Sequence, residues 1–207
     1  MVRAALGIRA EGRRKPGELI HVTEPDGPAA DTPVRAPQAA DLAVVAEQLG
    51  RPPRGVMAIA HRCPCGLPDV VRTAPRLADG TPFPTLFYLT CPRACSAMSS
   101  LEAAGVMREM TARLQSDTAL RARYLAAHED YLARRDEAAA AAGLEPLPPG
   151  TQSAGGMPDR VKCLHALAAH ALAVPGLNPL GAEAAQAVGE WWQSGSCAAD
   201  DPERHRT

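Results

Sequence analysis

Two cysteines flank a single proline in the segment HRCPCG, which runs from His61 to Gly66. A cysteine thiolate is both a nucleophile and a metal ligand, so Cys63 and Cys65 are the first candidates for chemistry. The Cys-x-Cys spacing is tighter than that of most zinc knuckles. The pair alone therefore defines no site, and other ligands must come from elsewhere in the chain.

Cys91 directly precedes Pro92, a residue that suits the first position of a helix. Unpaired backbone N–H groups and the helix dipole at such a start favour a thiolate over a thiol. We therefore expect Cys91 to be the most activated sulfur. Cys95 lies four residues later, one helical turn on, and we expect it to face the same way.

The segment KCLHALAAH adds Cys163, His165 and His170. Its pattern predicts a helix that begins near Met157 and continues through this segment. On such a helix Cys163 and His170 share one face, while His165 is rotated well away from Cys163. A straight helix therefore cannot present all three side chains to one metal ion.

Three short runs rich in β-branched and aromatic residues position the first two groups of thiols. They are GVMAIAHR, DVVRT and PTLFYLT, separated by CPCGLP and by the turn-forming LADGTPFP. The simplest arrangement is an antiparallel meander, in which the ends of the first and third strands lie at one edge, roughly 10 Å apart. We therefore expect Cys63, Cys65 and Cys91 on one side of the fold.

The rest of the chain predicts helices around that sheet. The segment AADLAVVAEQLGR predicts the first helix, and Gly105 breaks the helix that starts at Pro92. Asp117 is the predicted cap of a long helix that continues to Gly143, and GAEAAQAVGEWW predicts the last helix. The predicted class is α+β: a small three-stranded antiparallel sheet packed against four or five helices, with disordered termini. Residues 1–38 are a disordered extension, 39–193 a single domain and 194–207 a disordered tail. Cys197 falls in that tail and is the weakest ligand candidate.

Composition restricts the classes of partner. The chain has 207 residues and a net charge of -1, so we expect neither nucleic-acid nor membrane binding driven by charge. We find no apolar run of about 18 to 20 residues and no secretory leader, so we expect a cytosolic protein. In a reducing compartment its cysteines should be free, metal-bound or reactive. A protein partner and the oligomeric state stay open.

These patterns favour a structural or regulatory metal site. Zinc takes four nitrogen or sulfur ligands, which Cys63, Cys65, Cys91 and Cys163 would supply, with His165 or His170 able to replace one sulfur. The same thiolates could hold an iron–sulfur cluster, although the spacing matches no familiar ferredoxin pattern. Buried, chemically idle thiols are an equally simple explanation, because free cysteine behaves as a small apolar residue.

Two other functions compete with the metal site. Cys91 could be the nucleophile or redox thiol of an enzyme, beside an anion pocket formed by Arg76, Arg93 and Arg160. The third hypothesis is a partner-binding adaptor with idle thiols. Neither a GxSxG nor an HExxH motif is present in the sequence, so the enzyme hypothesis depends on Cys91 and the histidines.

An ordered set of motifs resembles the actinobacterial domain of unknown function 501 family. The resemblance covers about residues 41 to 181 and is carried by LGRPPRGV, HRCPCGLPDVV, TAPRLADGTPFPTLFYLTCP, LEAAGVMREM, AHEDYLARR, GGMPDRVKCLHALAAHALA and NPLG. It implies a small cytosolic bacterial protein without an assigned activity. Genes of this family often lie near a septum-formation initiator and an exopolyphosphatase-like gene, which implies a link to cell division or phosphate metabolism. Cys95, Cys197 and the first forty residues lie outside the family pattern.

Overall fold

A computed structural model of the protein describes residues 36–198. In chain order these residues form α1 (Ala39–Leu49), β1 (Val56–Arg62), β2 (Pro68–Thr73), β3 (Phe87–Leu89), α2 (Pro92–Ala103), α3 (Val106–Ser116), α4 (Thr118–Ala141), α5 (Leu164–Ala173), α6 (Pro179–Val188) and a 3₁₀ helix at Trp191–Ser194. This confirms the α+β class. The extension predicted for residues 1–38 and the tail predicted for 194–207 lie mostly outside the described residues.

The sheet is the predicted antiparallel meander, with strand order β1-β2-β3. The loop that carries the first two thiols closes its first hairpin. The N–H of Cys63 donates to the carbonyl of Leu67 at 2.9 Å, and the N–H of Gly66 donates to the carbonyl of Cys63 at 2.7 Å. Gly66 has a φ of +88°, a left-handed conformation that glycine adopts at little cost. The turn therefore fixes Cys63 and Cys65 at the end of β1.

Helices α2 to α6 enclose the core on the inner face of the sheet, where Val70, Phe87 and Leu89 are buried with residues of α4 and α5. At its centre, three rings pack together. Phe87 stacks on His170 with centroids 5.7 Å apart, and Tyr131 meets His170 edge-on at 5.1 Å. Each ring buries a large area, so one aromatic cluster compensates for a core otherwise built from small aliphatic side chains.

Local signals fix most helix boundaries. Gly105, at a φ of +89°, separates α2 from α3, which confirms the predicted break. The Asp117 side chain accepts a hydrogen bond from the N–H of Leu120 at 2.9 Å, which confirms it as the N-cap of α4. The longest helix, α4, has 24 residues. None of the helices within residues 36–198 combines the length and the apolar character needed to cross a membrane.

One predicted boundary is wrong: α5 begins at Leu164, not near Met157. The preceding residues form turns instead, in which the N–H of Lys162 donates to the carbonyl of Gly155 at 2.6 Å. Gly155 has a φ of +59°, and a Cβ there would lie 2.6 Å from the Leu167 side chain. Because the glycine pair holds the chain in this non-helical path, Cys163 becomes the N-cap of α5 rather than a residue within it.

The Tyr131 hydroxyl is a testable support of the core. The N–H of Leu86 donates to it, and both residues are fully buried. Tyr131→Phe leaves that N–H without a partner, so we expect the free energy of unfolding to fall by about 1–3 kcal/mol. Chemical denaturation measures the change. Tyr88→Phe, at a tyrosine that is 36% exposed, is the matched control and should change stability little; equal effects of the two substitutions would contradict this role.

His170 should make the fold sensitive to acid. Burial lowers its pKa from the ordinary value; Asp130 opposes this shift and Arg134 adds to it. The unfolded chain therefore binds a proton at a pH at which the folded ring is still neutral. Stability should fall as the pH drops below about 6.5, by at most about 1.4 kcal/mol per pH unit for one group.

The variant His170→Gln tests this linkage. Denaturation at neutral pH and at about pH 5 should give a smaller loss of stability for the variant than for the wild type. The comparison uses the pH dependence and not the absolute stability, so the packing cost of the substitution cancels. The same loss in both proteins would contradict the linkage.

Candidate metal centre

Three free thiols from two distant parts of the chain converge at the end of β1. The ligand atoms of Cys63, Cys65 and Cys197 all lie within 4.8 Å of one another. The sulfurs of Cys63 and Cys197 are 3.8 Å apart. Two thiolates bound at about 2.3 Å to a tetrahedral zinc ion would be separated by about 3.8 Å. The observed spacing therefore fits ligands of a single ion.

Cys91 is a fourth cysteine near this group, outside the three thiols that lie within 4.8 Å of one another. It is the N-cap of α2, with Pro92 as the first helical residue as predicted, and its side chain is fully buried. Burial raises the pKa of Cys197, and the next largest cause is the interaction of Cys197 with the Cys91 side chain. This interaction indicates that the Cys91 side chain lies near Cys197, although only Cys63, Cys65 and Cys197 lie within 4.8 Å of one another. We call Cys63, Cys65, Cys91 and Cys197 the four-thiol cluster.

The electrostatics of the cluster favour thiols until a cation is present. Burial raises the pKa of Cys63 to about 11, and its neighbours Cys65 and Cys197 contribute smaller shifts. Cys197 is shifted in the same direction. A divalent cation reverses this preference, because it stabilises the thiolates that bind it and releases their protons.

The segment that carries Cys197 is held from two helices. From α1, the Gln48 amide donates to the carbonyls of Cys197 at 2.6 Å and of Pro68 at 2.8 Å. From α2, the Arg93 guanidinium donates to the carbonyl of Ser196 at 3.2 Å. Gly195, with a φ of +133°, lets Arg93 approach, because a Cβ there would lie 2.6 Å from the guanidinium. Cys197 is therefore held in place as part of the fold.

Sequence reasoning ranked Cys197 as the weakest candidate because the residues around it have no apolar period. Cys197 is nevertheless part of the buried core, and hydrogen bonds from the Gln48 and Arg93 side chains to backbone carbonyls hold its segment there; no periodicity reveals such contacts. One sequence signal was available. The pair Trp191 and Trp192 stands a few residues upstream, and a buried Trp191 implies that the chain is still packed there.

Cys163 lies in a second group, with Glu102 and His165, whose ligand atoms are also within 4.8 Å of one another. The Cys163 sulfur is 3.9 Å from Nδ1 of His165, and Oε1 of Glu102 is 3.1 Å from the same nitrogen. The expectation that His165 points away from Cys163 was wrong, because Cys163 precedes α5 in an extended conformation. The pKa of His165 is raised to about 9, first by Cys163 and also by Glu102, against the effect of burial.

Comparison with protein families agrees with the motifs in the sequence. The family described as "Protein of unknown function (DUF501)" matches residues 59–186, more than half of the chain. The chain belongs to this family. The comparisons with curated proteins and with solved structures found no match. The matched range includes both groups of candidate ligands except Cys197, and the family description assigns no activity.

In this DUF501 protein, His170 and Cys95 lie outside both groups of candidate ligands. His170, the reserve ligand, belongs to the aromatic core; its Nδ1 is 3.3 Å from the Asn178 amide and its Nε2 is 3.6 Å from Asp130. Cys95 is half-buried, and its pKa is raised to about 12 by burial and by Cys91 and Cys163. The Cys95 sulfur donates to the carbonyl of Leu89 at 3.5 Å.

The arginines predicted to form an anion pocket in the DUF501 protein have different neighbours. Arg76 donates to the carbonyls of Gly80, Glu145 and Pro146. Arg93 donates to Ser196, next to the four-thiol cluster. Arg160 is exposed, and its carbonyl accepts from the Tyr124 hydroxyl. A pocket shared by Arg76, Arg93 and Arg160 stays a prediction.

Differences in burial predict the order in which the thiols react in metal-free protein. Cys65 is exposed, whereas Cys63, Cys91 and Cys197 are buried. An alkylating reagent at neutral pH should therefore modify Cys65 first and the three buried thiols slowly, as followed by peptide mass spectrometry. All thiols should react alike in denaturant, which is the control. Faster modification of Cys91 than of Cys65 would contradict this order.

Proposed function

We propose that the protein binds one zinc ion at the four-thiol cluster and that this zinc site is structural or regulatory. The observation that carries the proposal is the convergence of Cys63, Cys65 and Cys197 within 4.8 Å, with the Cys63 and Cys197 sulfurs at the spacing of a tetrahedral site. Cys91, whose side chain interacts with that of Cys197, is the fourth ligand that we propose. Relative to the set expected from sequence, Cys197 takes the place of Cys163.

Zinc at this place would link three parts of the fold. Its ligands come from the turn after β1, from the N-cap of α2 and from the segment after the 3₁₀ helix. Four thiolates leave no open coordination position, which is typical of structural zinc and not of catalytic zinc. Binding would therefore stabilise the fold, and loss of the ion would loosen the segment around Cys197.

The geometry supports zinc over an iron–sulfur cluster. Both need thiolates, but a cluster of several iron and sulfide atoms holds its ligands farther apart than one ion does. Two thiolates on one iron of a two-iron cluster lie as close as Cys63 and Cys197 do, so the mutual approach of three sulfurs within 4.8 Å is what favours a single ion. The identity of the metal is nevertheless part of the test.

The enzyme hypothesis has less support. The Cys91 side chain is fully buried, so a substrate has no direct approach to it. A thiol that acts as a nucleophile needs access as well as ionisation. Location in the bacterial cytosol and a link to cell division or phosphate metabolism are proposals from family resemblance, and the zinc site depends on neither.

Elemental analysis of the full-length protein tests the zinc site. After purification and dialysis we expect tightly held zinc, and after chelation the thiols of the cluster should become available to alkylation. Cys197→Ser and Cys91→Ser should each weaken zinc binding by more than the roughly 10- to 100-fold that removal of a group supporting a ligand costs. Circular dichroism checks that each variant is folded.

Cys95→Ser is the matched control, because Cys95 is a nearby half-buried thiol that is not among the proposed ligands. It should bind zinc like the wild type. Retention of the same zinc affinity by folded Cys197→Ser would overturn the site. So would a wild-type cluster whose thiols are equally reactive before and after chelation.

A further inference from the structure

The group formed by Glu102, Cys163 and His165 offers three different donor atoms. One carboxylate oxygen, one sulfur and one ring nitrogen lie within 4.8 Å of one another. Nδ1 of His165 is 3.1 Å from Glu102 Oε1 and 3.9 Å from the Cys163 sulfur. Nitrogen and oxygen ligands at about 2.0–2.2 Å from a tetrahedral zinc ion would be roughly 3.4 Å apart, so these atoms need to move little to share an ion.

The hydrogen bond of the other ring nitrogen of His165 supports a role of Nδ1 as a metal ligand. Nε2 is 3.0 Å from the carbonyl oxygen of Cys95, and a carbonyl oxygen only accepts. A ring that binds a metal through Nδ1 therefore keeps its proton on Nε2, and the metal replaces the Nδ1 proton that is otherwise shared with the Glu102 carboxylate. Metal-bound histidines characteristically donate their second N–H to a carbonyl or carboxylate, which fixes the tautomer and the ring orientation.

The backbone also holds the carboxylate in place. Glu102 lies on α2, and its Oε1 accepts a hydrogen bond at 2.6 Å from the N–H of Leu164, which is the first residue of α5. Cys163 immediately precedes this residue as the N-cap of α5. The ligands are therefore fixed by the contact between α2 and α5, and not by a loose loop.

Exposure separates this group from the four-thiol cluster. All three residues are half-buried, and the side chains of His165 and Glu102 are 27% and 24% exposed to solvent. Three protein ligands with solvent access are the pattern of zinc sites that keep an open position, whereas four thiolates are the pattern of closed ones. The group shares no residue with the four-thiol cluster.

We propose that Glu102, Cys163 and His165 form a second metal site, for a divalent transition-metal ion such as zinc, with a fourth position open to water or a small anion. This goes beyond the structural zinc site and does not depend on it. The site differs from the four-thiol cluster in function as well as in ligands, because it can exchange its fourth ligand.

Titration of the reduced, metal-free, full-length protein with zinc tests the second site. Cys163→Ser should bind one equivalent fewer than the wild type, and Glu102→Gln should bind the second equivalent at least tenfold more weakly. Glu102→Gln retains a side-chain oxygen that can accept from the Leu164 N–H, so it separates metal binding from folding. His128→Gln, a histidine bonded to Ser153 elsewhere in the fold, is the control and should bind like the wild type.

Cobalt(II) substitution tests the open position. The cobalt spectrum of Cys197→Ser, in which only the second site is intact, should change when azide is added. The spectrum of Cys163→Ser, in which only the four-thiol cluster is intact, should not change. If the four-thiol cluster binds no metal, the wild type still binds one more equivalent than Cys163→Ser, so the two proposals fail separately.

Two results would overturn the second site. One is equal zinc stoichiometry and affinity in the wild type, Cys163→Ser and Glu102→Gln. The other is a Cys163 thiol that reacts rapidly in folded metal-free protein and is not protected by added zinc, since this would identify a thiol–imidazole pair that acts without metal. Loss of the second equivalent together with protection of Cys163 by zinc would support the proposal.

Discussion

The fold depends on the edge of the sheet where β1 and β3 both end. A three-stranded antiparallel meander must bring these two ends to the same side, because the middle strand runs the opposite way. The turn after β1 carries Cys63 and Cys65, and the residue before α2 carries Cys91. Topology alone therefore places thiols that are far apart in sequence near one another, before any ion is present.

Helix α1 fixes this edge from the outside. The Arg62 guanidinium, next to Cys63, donates to both carboxylate oxygens of Asp41 at 2.8 Å. Gln48, two turns later on the same helix, holds the carbonyls of Pro68 and Cys197. One helix thus contacts the start and the end of the hairpin loop and the last described segment of the chain. Cys197 is therefore positioned by these polar contacts as well as by its burial in the hydrophobic core.

The sequence could predict what local signals encode. β-branched runs and the loop chemistry around Gly66 gave the meander, Pro92 and Asp117 gave two helix starts, and these features already placed Cys63, Cys65 and Cys91 together. The start of α5 and the position of Cys197 were not predictable in the same way. Both follow from long-range contacts: the Gly155 backbone against Leu167, and the Gln48 amide on a carbonyl 149 residues later. Such contacts leave no periodic pattern.

The start of α5 matters more than a boundary usually does. Had the helix begun near Met157, Cys163 would lie within a regular helix and His165 would face another direction. Because the glycine pair delays the helix, Cys163 is extended and its sulfur comes within 3.9 Å of the His165 ring. The same delay presents the N–H of Leu164 to Glu102. The backbone conformation at Gly155 therefore helps to bring the three donor atoms together. A side chain at that position would collide with Leu167, displace the start of α5 and separate the three atoms.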